Sequence, residues 1–270
     1  MTQFHPKLDR RQLLALAAIG SAGVGLPSLA QSTPMEANLV SASGKTTIAM
    51  LVHPDMFALD LIGPMTVFKM LDCDVRLVWK DKTPVSTDID IPLTPTHTFG
   101  EVPETVDVLF VPGGLTGTMR CMEDPEVMAF LADRGSRAKW VTSVCTGSLA
   151  LAAAGLLRGY DATSHWTVAD LLPLMGARWV DKRVVVDRNR ISGGGVTAGI
   201  DFGLGLAARL RDEETARRVQ LILEYAPEPP FRNGTPAEAG AQRVADTLEA
   251  APYRDEPRKA AEAARKRLGI

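Results

Sequence analysis

The sequence has 270 residues, of which 46% are hydrophobic, and its 30 basic and 32 acidic side chains leave a formal charge of −2. This balance excludes a protein that binds nucleic acid mainly through its phosphates, and the composition excludes a mainly disordered, collagen-like or coiled-coil chain. Three cysteines are too few for a disulfide scaffold, and their odd number leaves at least one free thiol. The length is enough to bury one full core.

The N-terminus has the features of an export signal. Arg10 and Arg11 precede an uncharged apolar run over residues 13–29, and Ser28 and Ala30 supply the small residues of a cleavage site. The arginine pair is similar to the twin-arginine signal, which carries folded proteins across a bacterial inner membrane. An uncleaved anchor is the alternative, although the run is shorter than the roughly 20 strongly apolar residues that span a bilayer. We therefore predict a periplasmic protein that leaves the membrane once the signal is removed.

Predicted strands and helices alternate between residues 46 and 225. The strands are predicted at residues 46–52, 75–79, 108–111 and 140–144, with hairpins over 85–99 and 184–192. The helices are predicted at residues 62–71, 125–137, 146–157, 197–210 and 213–225. Asp124 with Pro125 is predicted to begin the second helix, and Gly199 and Gly203 to allow close packing of the fourth. This order predicts the α/β class, with a mainly parallel sheet covered by helices on both faces.

The chain divides into four predicted parts. They are the signal (1–30), a flexible lead-in (31–44), one compact domain (45–232) and a helical C-terminal tail (233–270). The lead-in is polar and small, which is typical of a loop. The tail is rich in Ala, Glu and Arg, so we expect helices that pack on the domain or partly fray.

Cys145 lies where a predicted buried strand runs directly into a predicted helix. Such a tight turn, called a nucleophile elbow, needs small neighbours, which Ser143 and Gly147 supply. The N–H groups at the start of the helix are expected to lower the pKa of Cys145 and to bind a developing anion. The alternative is an inert buried thiol, an interpretation that suits Cys73 and Cys121 better.

Three other loops carry candidate site residues. Gly113 and Gly114 follow a predicted central strand, where their backbone could approach a bound group closely or form only a turn. Asp60 is flanked by apolar residues before a predicted helix, so it either serves the site or caps the helix. His165 could likewise lie near the site or cap a helix. The four histidines lack metal-ligand spacing, and neither a metal nor another cofactor is predicted.

Seven segments together resemble the DJ-1/PfpI superfamily, and within it the isonitrile hydratase (cyclohexyl-isocyanide hydratase) branch. They are LDLIGP (59–64), VPGG (111–114), VCTGS (144–148), AAGLL (153–157), ATSHW (162–166), SGGGVTAGID (192–201) and LEYAPEPPF (223–231). The resemblance implies a flavodoxin-like sandwich, usually a homodimer, with Cys145 as the nucleophile. Thr146 follows the cysteine where peptidase-like members have histidine. The residues after Arg232 are too few for the helix-turn-helix module of related regulators.

The first functional hypothesis is hydration of an isonitrile to an N-substituted formamide. Cys145 thiolate would attack the terminal carbon while Asp60 supplies a proton, and water would open the resulting thioimidate. Asp60 acting as a base on water is the alternative. Thr146 would hold the intermediate or the water, and the amides of Gly114 and Thr146 would stabilise charge. Gly113, Gly114 and His165 are the predicted oxyanion and substrate-binding residues.

A second hypothesis is a role without turnover. Cys145 would then be a redox-sensing thiol, or the pocket would only bind a small molecule. A third is a glyoxalase- or deglycase-like enzyme acting on reactive carbonyls. All three hypotheses use the same site, because a fold determines where a site lies more strictly than it determines the substrate.

Overall fold

The computed structural model describes residues 45–250 and 255–270. The predicted export signal and flexible lead-in lie outside the described residues. Within these two ranges, no helix is both long enough and apolar enough to cross a membrane.

A mainly parallel sheet of seven strands forms the centre of the domain. The strands of the described residues are β1 (Thr47–Leu51), β2 (Asp74–Trp79), β3 (His97–Thr98), β4 (Val108–Val111), β5 (Trp140–Val144), β6 (Asp161–Ala162), β7 (Arg178–Trp179), β8 (Val184–Asp187) and β9 (Arg190–Gly193). The order is β3-β2-β1-β4-β5-β9-β8, and β6 pairs separately with β7. Only β8 runs antiparallel, in its hairpin with β9. This confirms the predicted mainly parallel sheet and the second hairpin.

Helices cover both faces of this sheet. They are α1 (Ala58–Met70), α2 (Leu115–Glu123), α3 (Pro125–Arg137), α4 (Gly147–Ala153), α5 (Ala198–Leu210), α6 (Glu213–Ile222), α7 (Pro236–Ala239), α8 (Ala241–Ala250) and α9 (Glu256–Leu268). Buried residues of α1, α5 and α6 form one apolar cluster, and those of α2, α3, α4 and α9 form another. The two clusters establish the sandwich of helices, sheet and helices that the sequence predicted.

Strands β1 and β4 are almost wholly apolar because both of their faces are buried. In β1, Ile48 and Met50 belong to one cluster, whereas Ala49 and Leu51 belong to the other. Successive side chains of a strand point to opposite faces, so a strand between two layers of helices needs no polar side. Burial of both faces explains the continuous apolar runs from which β1 and β4 were predicted.

Helix α1 begins four residues earlier than predicted. Its first N–H, that of Ala58, donates to the Asp88 carboxylate at 2.7 Å. A carboxylate from a distant loop therefore caps the helix, and no local capping signal announces the start. Pro64, predicted to mark the start, lies inside the helix, and Asp60 lies in its first turn. The interpretation of Asp60 as the N-cap is therefore wrong.

Helix α2 was not predicted, and the 85–99 segment is less regular than a hairpin. Two threonines and Gly117 weaken the helical propensity of α2. Tertiary packing requires that glycine, since a Cβ at Gly117 would lie 2.2 Å from the Pro54 carbonyl oxygen. In the 85–99 segment, Val85 and Leu93 form one antiparallel bridge, and the chain then joins the sheet as β3 beside β2.

Two local predictions about helices are confirmed. The Asp124 carboxylate accepts hydrogen bonds from the second and third N–H groups of α3, as an N-cap does. Gly199 and Gly203 lie against α1: a Cβ at the first would be 3.2 Å from Pro64, and at the second 3.2 Å from Val67. These contacts leave no spare room between α1 and α5.

The predicted tail contains α7, α8 and α9. Ala260, Ala261 and Ala264 of α9 are buried in the cluster that also holds α2 and α4. The Arg267 guanidinium donates to the Ala153 carbonyl at 3.1 Å, at the end of α4. Small side chains on one face let α9 approach closely, so this last helix is part of the core.

Candidate active site

The candidate residues meet at the carboxyl edge of the sheet. Asp60 follows β1, Gly113 and Gly114 follow β4, and Cys145 and Thr146 follow β5. Because β1, β4 and β5 are adjacent and parallel, their carboxyl ends open onto one crevice.

Cys145 adopts the strained backbone of a nucleophile elbow. Its φ angle is +57°, in the left-handed region that residues with a side chain rarely occupy. Its N–H donates to the Gly193 carbonyl at 3.0 Å. Its carbonyl accepts from the hydroxyls of Ser164 at 3.1 Å and Ser148 at 3.3 Å. These three hydrogen bonds hold the turn in its strained conformation.

Two glycines let the neighbouring loop reach the turn. A Cβ at Gly147 would lie 2.3 Å from the Val111 carbonyl oxygen, and a Cβ at Gly113 would lie 2.7 Å from both the Asp60 carboxylate and the Cys145 Cβ. No side chain fits at either position. The Gly113 backbone therefore touches both predicted catalytic side chains.

Asp60 is fully buried and mostly uncompensated. Its Oδ2 accepts the Gly113 N–H at 2.9 Å, and its Oδ1 has no hydrogen-bond partner among the described residues. Burial raises the pKa of Asp60 to about 7, against the opposing effects of the Gly113 N–H and of the nearby Cys145 thiol. A carboxyl group with a pKa near neutrality can both take up and release a proton.

The thiol of Cys145 also differs from the sequence-based expectation. Burial raises its pKa well above the ordinary value, and the nearby Asp60 carboxylate raises it further. The N–H groups of Thr146 and Gly114 oppose this increase and do not outweigh it. The expected lowering of the Cys145 pKa is therefore wrong: the helix start acts as predicted, but loss of water and a buried negative charge dominate.

A chain of buried hydrogen bonds joins Gly114 to Thr146 and Thr118. The Gly114 N–H donates to Thr146 Oγ1 at 3.0 Å, and Thr118 Oγ1 lies 2.8 Å from the same oxygen. The sequence analysis missed Thr118, which lies four residues after Gly114 in the unpredicted helix α2. In this structure the Gly113 N–H donates to Asp60, and the Gly114 N–H donates to Thr146. The main contacts of these two amides therefore hold side chains in position, whereas the sequence predicted that they bind an oxyanion or the substrate.

Among the described residues, no hydrogen bond joins the His165 ring to this cluster. Its Nδ1 is 2.8 Å from the Thr167 hydroxyl, and burial lowers its pKa, which favours the neutral imidazole. In the described part of the chain, the residue of this loop that contacts Cys145 is Ser164. The sequence feature that could have identified Ser164 as a site residue is its position in the ATSHW segment. No group of three or more His, Cys, Asp or Glu among the described residues could hold a metal ion.

The arrangement combines a nucleophile, a proton carrier and a hydroxyl in one buried cluster. The Asp60 carboxylate raises the pKa of the Cys145 thiol, whereas the nearby thiol lowers the pKa of Asp60 without offsetting the effect of burial. Such a pair titrates as one unit, and it releases its first proton near neutral pH. This chemistry suits addition of a thiol to an unsaturated carbon together with proton transfer to the product.

Comparison with known proteins places this site in a family. The sequence matches the DJ-1/PfpI family over residues 46–209, which is more than half of the chain. It is 51% identical to an isonitrile hydratase from Pseudomonas putida over 193 residues, which cover 71% of this chain and 84% of that protein.

Two solved structures agree in fold. A ThiJ/PfpI family protein from Pseudomonas syringae superposes with a TM-score of 0.80 at 46% identity, over 88% of this chain and 98% of that one. A DJ-1 superfamily protein from Salmonella typhimurium superposes with a TM-score of 0.63 at 27% identity, over 67% of this chain and all of that one.

Proposed function

The chain belongs to the DJ-1/PfpI family, and we propose that it is an isonitrile hydratase, a lyase that converts R–N≡C and water into an N-substituted formamide. The buried pair of Cys145 and Asp60 carries the proposal, because it joins a nucleophile to a carboxyl group with a pKa of about 7. The 51% identity to the P. putida isonitrile hydratase supports the substrate class.

The first half of the reaction joins sulfur to carbon. The active pair holds one proton, which resides mainly on the Cys145 thiol because its pKa is the higher of the two. As this proton moves to Asp60, the sulfur attacks the terminal carbon of the isonitrile, and Asp60 delivers the proton to the lone pair of the same carbon. A C–S and a C–H bond form, giving the thioimidate R–N=CH–S–Cys145.

The second half releases the product. Asp60, again a carboxylate, accepts a proton from water as the water oxygen adds to the thioimidate carbon, and it passes this proton to the nitrogen. The C–S bond then breaks as the remaining hydroxyl proton moves through Asp60 to the sulfur, and R–NH–CHO leaves with Asp60 a carboxylate again. The Thr146 hydroxyl, next to Cys145 in the chain, is placed to hydrogen-bond the nitrogen of the intermediate. Water enters only in this half.

A substrate panel tests the proposal. Purified protein is incubated with cyclohexyl isocyanide, a linear alkyl isonitrile and methylglyoxal, and products are followed by proton NMR. We expect formamide from both isonitriles and no lactate from methylglyoxal. Lactate without formamide would replace the proposal with a glyoxalase, and no turnover of any compound would favour a redox or binding role.

The pH profile of kcat/KM is expected to rise through pH 7. Below the Asp60 pKa of about 7 the pair carries a second proton, so the fraction of active enzyme falls tenfold for each pH unit. Above it, kcat/KM should level off until the raised pKa of Cys145 is reached. Initial rates at low substrate concentration, corrected for acid-catalysed background, measure this profile. A kcat/KM that falls as pH rises through 7 would require Asp60 to start protonated and would contradict the one-proton pair.

We also propose that the mature protein acts in the periplasm. Arg10 and Arg11, the uncharged run after them and the small residues at the cleavage site support this location. Replacing both arginines with lysine should strongly reduce the periplasmic fraction in cell fractionation, and N-terminal sequencing should find the exported chain beginning near Gln31. An intact Met1 in the soluble cytoplasmic fraction would contradict export. The homodimer implied by the family resemblance stays a prediction.

A further inference from the structure

The hydrogen bond between Thr118 and Thr146 raises the question of which of the two hydroxyls is the donor. Both hydroxyls are buried, with Thr118 1% and Thr146 3% exposed, and their oxygens are 2.8 Å apart. Either could be the donor by distance alone. The acceptor that the remaining proton could reach decides the direction.

Thr118 has a proton to place and one acceptor to receive it. Across the described residues, Thr146 is the hydrogen-bond partner that its hydroxyl oxygen has. Whichever of the two hydroxyls donates, the described residues offer no acceptor to the proton that remains. If Thr146 donated, that proton would be on Thr118, whose oxygen has Thr146 as its partner, and it would stay buried without an acceptor. If Thr118 donates, the remaining proton is on Thr146, next to Cys145, where the substrate or a water molecule that enters the site can accept it.

Thr146 then has its two acceptor positions filled. A threonine oxygen has two lone pairs and one proton, and Thr146 Oγ1 receives the Thr118 hydroxyl and the Gly114 N–H at 3.0 Å. Its own proton must point away from both. Thr146 precedes α4, yet its side chain forms no capping bond to that helix. No neighbouring backbone group thus draws the proton away from the pocket.

We infer that Thr118 is a positioning residue that turns the Thr146 hydroxyl proton toward the reacting centre beside Cys145. This rests on the proposed hydration, in which the thioimidate nitrogen gains a proton while water adds. Thr146 supplies the hydrogen-bond donor for that nitrogen, and Thr118 ensures that Thr146 donates there and does not act as an acceptor.

The surroundings of Thr118 keep it rigid. Its N–H donates to the Gly114 carbonyl at 2.7 Å, which ties it to the same loop that its side chain serves. A Cβ at the preceding Gly117 would lie 2.4 Å from the ring of His53, so α2 rests directly on that buried side chain. These contacts hold Thr118 in place, so its hydroxyl can set the direction of the Thr146 hydroxyl.

Kinetics of three variants test the role. Thr118→Val keeps the shape and removes the donor, so kcat should fall about tenfold or more with KM changed less than twofold. Thr118→Ser restores a hydroxyl and should recover most of kcat. Thr142→Val is the matched control: Thr142 is buried and donates to the Leu109 carbonyl at 2.9 Å, away from the pocket. It should lower Tm without a selective loss of kcat. Equal kcat in Thr118→Val and wild type, or no recovery in Thr118→Ser at normal Tm, would overturn the inference.

Neutron diffraction of deuterium-exchanged crystals separates this inference from the proposed function. We expect a deuteron on Thr118 Oγ1 directed at Thr146, and the Thr146 deuteron directed into the pocket. A Thr146 deuteron directed at Thr118 would overturn the inference even if the enzyme hydrates isonitriles. If the wild-type protein hydrates no isonitrile, the proposed function fails, and the deuteron positions still decide which threonine donates.

Discussion

Replacing Cys145 with alanine is expected to abolish isonitrile hydration, with a loss of at least about 10⁴-fold in kcat. The sulfur forms the bond to the substrate carbon in the proposed reaction, and no other described side chain at the elbow offers an equivalent nucleophile. The fold should persist, because alanine fits the space of the thiol and the backbone contacts of the turn do not involve it. Turnover is measured by formamide NMR, and folding by circular dichroism and Tm.

Cys73→Ala provides the matched control. Cys73 is buried to the same degree, lies after α1 away from the carboxyl edge, and has a pKa raised mainly by burial. Its replacement deletes the same atom from the interior, so turnover should stay within about twofold of wild type. Substantial turnover in a folded Cys145→Ala protein would remove covalent catalysis from the mechanism. Loss of turnover in Cys73→Ala would show that removing a buried sulfur atom impairs activity through core packing. The loss in Cys145→Ala would then not identify a nucleophile.

Replacing Asp60 with asparagine is expected to lower kcat by about 10²- to 10⁴-fold, the usual contribution of a general acid or base. Asparagine has nearly the same shape and can still accept the Gly113 N–H through its amide oxygen. It cannot carry a proton from sulfur to carbon. Since Asp60 does not cap α1, the loss of turnover cannot be attributed to an unfolded helix start.

A double variant shows whether the two residues act as one unit. If Asp60 and Cys145 serve the same proton and bond-forming step, Asp60→Asn with Cys145→Ala should be little slower than Cys145→Ala alone. Losses that multiply would indicate independent roles. Near-normal turnover in Asp60→Asn would remove Asp60 from the mechanism.

The same substitution should change how stability depends on pH. In the unfolded chain an aspartate ionises near pH 4, whereas in the folded protein Asp60 ionises near 7. Between these values the folded state binds more protons, so this group makes wild-type stability fall as pH rises. Asp60→Asn lacks the effect, and it should gain free energy of unfolding relative to wild type from pH 4 to 7, by roughly 1.4 kcal/mol per unit of pKa difference. Urea denaturation at several pH values measures the gain.

Much of the fold could be predicted because its signals are local. The apolar runs at β1 and β4 are continuous, and the Asp124–Pro125 pair and the β8–β9 turn have standard local chemistry. The elbow at Cys145 was also predictable, since small residues flank a cysteine between a strand and a helix. By contrast, the start of α1 depends on the Asp88 carboxylate, and α2 depends on its packing against His53 and Pro54.

The sequence by itself determined which side chains lie at the carboxyl edge, because the parallel order of β1, β4 and β5 brings Asp60, Gly113 and Cys145 to one place. Only the tertiary structure decided their proton affinities and hydrogen-bond directions. Asp60 and Gly113 are 53 positions apart, and Thr118 and Thr146 are 28 apart, yet each pair is in direct contact. A pKa depends on burial and on the charges that surround a group in space. For that reason the helix start predicted a lowered Cys145 pKa, whereas burial of the thiol and, after it, the charge of Asp60 raise that pKa.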